Sequence, residues 1–504
     1  MNSLVLLIVS TGLARLIPKS ERWMHRLPQL TRALVFFLAF CFLATLIRYF
    51  YYPSYIDHVE PTLADLGVLF RSGEAIFPHV SSHTLHGLLY GSGLTELQSL
   101  AQLLPMDIVP ASKLTGLFPA AALTVLFFFV TRSTLARSYS LFFFLFADAA
   151  IWNRAEPILG LLALTAMLVV EKFRHPLAKY VLLGILAGAC SSLKLHGLLY
   201  ILPAVIVALS HQERTKVAYS VVFMSATIFT LTATHSPAQV DTRMFVEYLS
   251  FARRHPIVPF MVFNNLCYLG ALTIPLILIA YTRGVIKTYT RSFLLIFLVE
   301  VVIAIVGAKA GAGTHHLLPM IFVNAYLLDR ILRTPLSTSE VLYSDLKWHA
   351  MFVVGALAVA FGLVKLNRTM SASWDRSRDA AVELRSFASE HAQLLMGVTD
   401  RENYPLTFLR PILAARGTPQ VEFAAYMDTQ FAGLADRSLV AKVRSCELNY
   451  WLLPAKGTPF SLPNFYTNEP LLSADFRLAF ETNYRKVKQG RFFNVYQCLP
   501  ATVK

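Results

Sequence analysis

The sequence predicts a mainly α-helical, polytopic membrane protein: a bundle of about eleven to thirteen transmembrane helices followed by an extracytoplasmic α/β domain. Three observations carry this prediction. Apolar residues make up 55% of the chain and charged ones 15%, against the roughly 25% charged of an average soluble domain. Apolar runs recur from residue 3 to about residue 365, and the short loops between them hold clusters of Lys and Arg. Beyond Leu363, about 140 residues carry no long apolar run, an ordinary size for one soluble domain. The expected division is therefore 1–365 and 366–504. Much of the net charge of +15 sits in the short loops, where the positive-inside rule places it. A bilayer is the expected partner and nucleic acid is not.

Taken in order, Ser3 to about Ile17 is apolar but lacks the basic start and small-residue cleavage site of a signal peptide. It reads as a membrane helix entering from outside. Lys19, Arg22, Arg26 and Arg32 mark a cytoplasmic turn, and Ala33 to about Arg48 crosses back, leaving the loop at 51–113 outside. Further apolar segments lie at roughly 114–131, 138–152, 157–170, 179–193, 196–210, 217–234, 262–281, 292–308, 317–333 and 349–365. Arg132 with Arg137, Lys172 with Arg174 and Lys179, and Arg214 with Lys216 then fall on the cytoplasmic side. So do Arg283 with Lys287 and Arg291, and Arg330 with Arg333, so the alternation is self-consistent. The pair within 138–170 is short for the ~20 residues of a straight span, which allows a tilted or re-entrant course.

The carboxy-terminal part then lies outside. It shows a helical stretch from Ser373 to about His391 and strand-like runs at 394–398, 450–454 and 492–496. Cys446 and Cys498 are its two cysteines. A bridge between them implies an oxidising compartment, and two free thiols fit the spacing equally well.

Several polar positions stand out against this apolar background. Asp57 and Glu60 follow the helix ending near Arg48, just outside the membrane. A carboxylate fixed there can take the proton of a hydroxyl attacking a phosphate-linked sugar; solvated loop charges are the plainer reading. Arg154, in a short turn after Trp152, can grip a lipid phosphate through a forked pair of hydrogen bonds or pair with Glu156 to hold the turn. Lys194 and His196 lie at another outside turn, where Lys194 neutralises a phosphate or snorkels to the interface. The run Gly307-Ala308-Lys309-Ala310-Gly311-Ala312-Gly313-Thr314-His315-His316 combines a permissive backbone with Lys309, His315 and His316. Phosphate or sugar contact is favoured there over a metal, because two adjacent imidazoles lack a nearby acidic ligand. Glu300 sits inside an apolar run, a costly placement that marks function by default. The loop at 235–261 carries Arg243, Arg253, Arg254 and His255 and fits either a cover over an anionic head group or a solvated interfacial helix.

Together these features resemble the GT-C superfamily of integral-membrane glycosyltransferases, which includes the protein O-mannosyltransferases and the aminoarabinose transferases of lipid A. The resemblance covers roughly residues 33–335 and lies in order and placement. Asp57, with Glu60 near it, matches the acidic residue of the first large outer loop. Arg154 or Lys194 matches a later outer basic residue, and His315-His316-Leu317-Leu318-Pro319 matches a His-Leu-Leu-Pro-like run opening a late helix. The resemblance implies a polyprenyl-phosphate-linked sugar donor, an inverting transfer, Asp57 as general base and basic residues on the donor phosphate. It also implies a carboxy-terminal domain that helps recognise a glycolipid, polysaccharide or protein acceptor. The setting would be the plasma (inner) membrane, with the site facing the periplasm or outside. The Asp57–Glu60 spacing differs from the adjacent Asp-Glu of the mannosyltransferases and leaves either carboxylate as the base. No metal ligands are assigned, and dependence on a divalent ion stays open. A lipid or glycan transporter or flippase, centred on Glu300, and a lipid-linked glycan ligase are the alternative functions.

Overall fold

The structure, a computed structural model, describes residues 26–78, 86, 90–146, 150–210, 216–333, 339–430, 433 and 436–499. The amino-terminal helix expected over 3–17, with Lys19, Arg22 and Arg214, lies outside the described residues. The first described helix, α1 (Leu27–Tyr51), has Pro28 in its first turn and stops two residues before Pro53. Phe36, Phe37, Phe40 and Ile47 point outward while Val35, Leu38, Phe42 and Tyr49 are buried in the bundle. That is the two-sided apolar surface of a helix packed on protein and bathed in lipid.

The loop that follows contains α2 (Val59–Arg71) and α3 (Ser92–Ala101). The bundle continues with α4 (Ile108–Val130), α5 (Thr134–Phe146), α6 (Ala155–Lys172), α7 (Pro176–Leu193), α8 (Leu198–Ser210) and α9 (Lys216–Thr234). An amphipathic helix, α10 (Thr242–Arg254), precedes α11 (Pro259–Thr282), α12 (Ile286–Val306), α13 (Leu318–Leu332) and α14 (Ser339–Glu390). Helices α1, α4, α7, α9 and α11 are each long and apolar enough to cross a membrane on their own. The others are shorter, or carry charge, and complete the bundle by packing. Helix α13 lies against both α5 and α6.

The two ends of the bundle differ in charge. At one end, Asp329 accepts the amides of Arg132 and Ser133 at 3.0 and 2.6 Å and pairs with Arg333, while Arg330 meets Glu171 at 3.0 Å. Arg137, Arg283, Arg330 and Arg333 of the basic clusters gather there, with Arg137 and Arg333 on the last carbonyls of α4 and Arg283 on the Leu332 carbonyl. At the other end stand the termini of α1, α6, α7 and α13 that carry the site, together with the carboxy-terminal domain.

Helix α14 runs unbroken for 52 residues, about 78 Å at 1.5 Å per residue. Its side chains leave the bundle core after Met370 and Trp374 and join the carboxy-terminal core from Ala380. Asn367, the head of an Asn-Arg-Thr triplet, donates to Thr45 of α1 at 3.0 Å and so sews the two helices together.

The domain beyond is built on a four-stranded sheet, β1 (Leu394–Met396), β2 (Tyr450–Pro454), β3 (Tyr484–Gln489) and β4 (Phe493–Cys498), in the order β1-β2-β4-β3. β1 and β2 are parallel and the other two pairings antiparallel. β3 escapes a hydropathy reading because it is an edge strand whose Arg485, Lys486 and Lys488 face solvent, a composition that discourages further pairing. Helices α15 (Pro411–Ala414), α16 (Phe423–Gln430), α17 (Arg437–Arg444) and α18 (Ala474–Asn483) complete the domain. Cys446 and Cys498 form a disulfide.

This domain does not hang free. Tyr55, Ala64 and Val109 of the first loop belong to its apolar core. Arg410 is buried between α2 and the domain: its guanidinium meets Glu422 at 2.7–3.1 Å, Asp65 at 3.0 Å and the Thr62 hydroxyl at 2.5 Å. Burial and the neighbouring Glu422 raise the Asp65 carboxyl well above its ordinary range, which lets the two acids face one cation. The domain is thereby locked onto the element that follows Asp57.

Candidate active site

The site begins with how the end of α1 is held. Lys113 of α4 is fully buried and donates to the carbonyls of Tyr49 and Tyr52 at 2.9 and 2.5 Å, capping the helix with a cation. Its ammonium also lies 4.3 Å from the Tyr49 ring centre and 5.5 Å from that of Tyr55. The chain then turns, and Glu60 gathers the turn. One of its oxygens accepts the Tyr49 hydroxyl at 2.5 Å and the Asn153 amide at 2.7 Å; the other accepts the Ile56 and Asp57 amides at 3.1 and 2.9 Å. Burial, then the Asp57 charge, push this carboxyl upward, while the Tyr49 and Asn153 donors pull it back. Four donors and full enclosure are the surroundings of a structural carboxylate.

Glu60 also reaches across to the turn carrying Arg154, through Asn153. Gly116 lets α4 back onto that turn, for a Cβ at this position would stand 2.6 Å from the Trp152 carbonyl oxygen. Asn153 is held from the other side by Gln98 of α3 at 2.8 Å. Arg154, stacked 4.3 Å above Trp152, places its guanidinium on Asp57, with Nε 3.0 Å from Oδ2 and Nη2 on the same oxygen. That oxygen also accepts the Val59 amide at 3.0 Å, and Oδ1 lies 3.3 Å from His58 Nδ1. Burial alone would raise the Asp57 carboxyl, but Arg154 and His58 outweigh it and hold it well below the usual range. Arg154 therefore pairs with Asp57, not with Glu156 as one sequence reading had it.

Glu156 has a different partner. It is fully buried, and its Oε1 meets the Lys194 ammonium and lies 3.7 Å from His315 Nε2. Its Oε2 makes no hydrogen bond among the described residues. Lys194 is buried, with 4% of its surface exposed, and its ammonium lies 5.1 Å from the Tyr90 ring centre. Snorkelling to the interface is thus excluded for it. Gly197 allows the turn at Lys194 to fold back on α7.

His196 and His316 stack at 4.9 Å, with His316 Nδ1 3.1 Å from His196 Nε2, and Tyr200 donates to the His316 carbonyl at 2.8 Å. Burial, followed by the Lys194 charge, lowers His196 to about 3. Burial also lowers His315 to about 3, against the opposing pull of Glu156, and lowers His316 in the same direction. Burial thus works against the charged form of all three imidazoles and suits them to hydrogen bonding, while Arg154 and Lys194 stand in ion pairs; burial lowers the Lys194 ammonium too, against the pull of Glu156.

Asp57, Arg154, Lys194, His196, His315 and His316 thus come together from four separate turns. Lys309 donates to the Ala252 carbonyl at 2.9 Å, tying the glycine run to the end of α10, and its charge still reaches His196. The carboxy-terminal domain supplies the upper wall. Tyr466 packs on Gly311, whose φ of 84° and closeness to that ring leave no room for a Cβ. Phe465 meets the edge of His58 at 5.8 Å, and Asp428, raised to about 6 by burial against the opposing charges of His255 and His58, faces the same space. Among the described residues, no three His, Cys, Asp or Glu side chains converge as a metal's ligand set.

Sequence reasoning named Glu156 only as a partner for Arg154 and passed over Lys113, His58, Tyr90, Asp428 and Tyr466. A charged residue one turn into an apolar helix was a signal for Lys113. The residues of the upper wall left none, because they meet the site only through docking of the domain.

No family model and no curated protein matches the sequence. Solved structures do. The crystal structure of ArnT from Cupriavidus metallidurans bound to undecaprenyl phosphate aligns with a TM-score of 0.54 and 13% identity, over 93% of this chain and 98% of that one. The same organism's ArnT in the apo state aligns with a TM-score of 0.51 and 13% identity, over 90% and 96%. This chain therefore shares the fold of these ArnT structures along nearly its whole length. At this identity the likeness establishes the fold and not the reaction.

Proposed function

We propose that this protein is an inverting glycosyltransferase that moves a sugar from a polyprenyl-phosphate carrier to a hydroxyl of an extracytoplasmic acceptor. The observation that carries the reading is the pair of buried ion pairs, Asp57–Arg154 and Glu156–Lys194, set side by side at the domain-bearing end of the bundle. Each cation is balanced by one carboxylate, so a donor phosphate entering the site meets two cations already fixed in place. The undecaprenyl phosphate bound in the ArnT structure supports a carrier of this class. The Asp57 loop supplies the base that takes the proton of the acceptor hydroxyl. The acceptor oxygen attacks the anomeric carbon, the carbon–oxygen bond to phosphate breaks, and the electron pair leaves on the phosphate. Arg154 and Lys194 stabilise the added negative charge, while His196, His315 and His316 offer hydrogen bonds to sugar hydroxyls. Glu60 holds the loop and takes no proton from substrate. The basic clusters at the opposite end and the Cys446–Cys498 bridge both support a site on the oxidising, extracytoplasmic side.

The test is reconstitution in vesicles with polyprenyl-phosphate-linked sugars, reading carrier release and the mass of the glycosylated product. The reading requires both to appear together and to fail with Arg154→Ala. Lipid-linked sugar that crosses the bilayer without transfer would instead favour transport. In that case the buried Glu300, which accepts from Asn324 at 2.6 Å, becomes the focus.

A further inference from the structure

The position of Asp57 raises a chemical difficulty for its use as a base. Oδ2 is filled by three donors, two from Arg154 and one from Val59, and Oδ1 faces His58 Nδ1 at 3.3 Å. A carboxylate so engaged, with Oδ2 filled and the Arg154 charge holding it below its usual range, is a weak acceptor for the proton of an incoming hydroxyl. Its neighbour is the opposite case. The His58 side chain keeps 21% of its surface exposed, against 10% for Asp57, and its Nε2 makes no hydrogen bond among the described residues. Phe465 of the carboxy-terminal domain lies edge-on to the ring at 5.8 Å and Tyr404 stands at 6.5 Å, which hold the imidazole plane.

Resting on the transferase reading above, we infer that His58 Nε2 is the atom that takes the acceptor's proton, with Asp57 acting through Nδ1 to orient the ring and stabilise the imidazolium. An imidazole with one nitrogen bonded to a buried carboxylate and the other open is the arrangement that makes histidine a base in acyl transfer. The balance is simple. The acceptor O–H bond breaks and its proton goes to Nε2 while the oxygen forms the new bond to the anomeric carbon. The phosphate oxygen departs with the electron pair of the broken bond, and the proton leaves His58 to solvent after release of product. Arg154 then has two tasks: it fixes Asp57 through Nε and Nη2, and its charge stands near that of Lys194 where the donor phosphate would bind. The charged groups facing His58 are Asp57, with Arg154 behind it, and Asp428 of α16, which feels the His58 charge.

The full-length protein in vesicles tests this with polyprenyl-phosphate-linked sugar as probe. Wild type, His58→Gln and His58→Ala are compared for transfer rate across pH and for retention of the carrier lipid. The expected result is a loss of about 10²–10⁴-fold in turnover for both variants. Carrier-lipid retention should stay unchanged, the acidic limb of the wild-type rate should be absent in His58→Gln, and added imidazole should partly restore His58→Ala. A purely structural role would produce neither the lost limb nor the rescue. His58→Gln turning over as fast as wild type with the same acidic limb overturns the assignment and returns the proton to Asp57. If His58→Gln misfolds, seen as lost carrier retention, the imidazole response of His58→Ala decides; if His58→Ala misfolds, the pH profile of His58→Gln decides. A wild type that moves no sugar overturns the transferase reading itself, and this assignment with it.

Discussion

Arg154 reaches Asp57 across 97 residues of sequence, from a turn between two helices to the end of another, and the pair is almost sealed from solvent at 6% and 10% exposure. Breaking a buried pair on one side leaves a charge without a partner and costs about 3–5 kcal/mol. Arg154→Met should therefore lower stability by that order, and Arg154→Lys by less, because a point charge remains where the fork was. Thermal unfolding of purified protein in detergent checks this. Equal midpoints for Arg154→Met and wild type would show that the pair is not formed.

The same pair sets a pH dependence. The native Asp57 carboxyl is held below its unfolded value, so its contribution is fully present above the ordinary carboxylate range near ~4. It is lost as pH falls below that range, where the unfolded chain takes up a proton that the native one refuses. The difference in midpoint between wild type and Asp57→Asn should keep its full width from pH 7 to about pH 5 and shrink as pH falls below about 4. A difference that grows on acidification contradicts the pairing.

Glu60→Gln should act on stability before chemistry. An amide at this position turns one acceptor into a donor facing donors, and hydrogen bonds to a charged group contribute about 1.5–3 kcal/mol each. We expect reduced amounts of folded protein and a lowered midpoint, with residual transfer per folded molecule within about tenfold of wild type. A fully stable Glu60→Gln protein without any transfer would instead make Glu60 the base.

Arg410 locks the carboxy-terminal domain onto α2. Arg410→Met strands Glu422 in the interior and should cost about 3–5 kcal/mol. Limited proteolysis should then cut near the domain boundary where wild type resists. The double variant Arg410→Met/Glu422→Gln should recover part of the loss, since it buries no unpaired charge. Failure of the second change to restore anything would mean that the contact is not the lock.

The helical segments were legible because crossing a bilayer demands long apolar runs, and the segments expected between 114 and 333 coincide with helices α4 to α13 except for the amphipathic α10. Strands β1, β2 and β4 were likewise visible as short apolar runs, while the charged edge strand β3 was not. Of the site, Asp57, Arg154, Lys194, His196, His315 and His316 could be named because polar residues at the ends of apolar helices are conspicuous. Their partners could not. Arg154 was expected on phosphate or Glu156 and stands on Asp57; Lys194 was expected at the interface and is buried on Glu156.

What the sequence by itself determined is the membrane architecture and the end of the bundle on which the buried charged residues gather, because hydropathy and charge asymmetry act on each segment separately. What only the tertiary structure decided is which carboxylate meets which cation, which one is walled in, and that Tyr466, Phe465 and Asp428 roof the site. Those choices depend on how turns distant in sequence dock together. A buried charge accepts whichever partner packing brings within hydrogen-bond reach, and no local pattern records that distance.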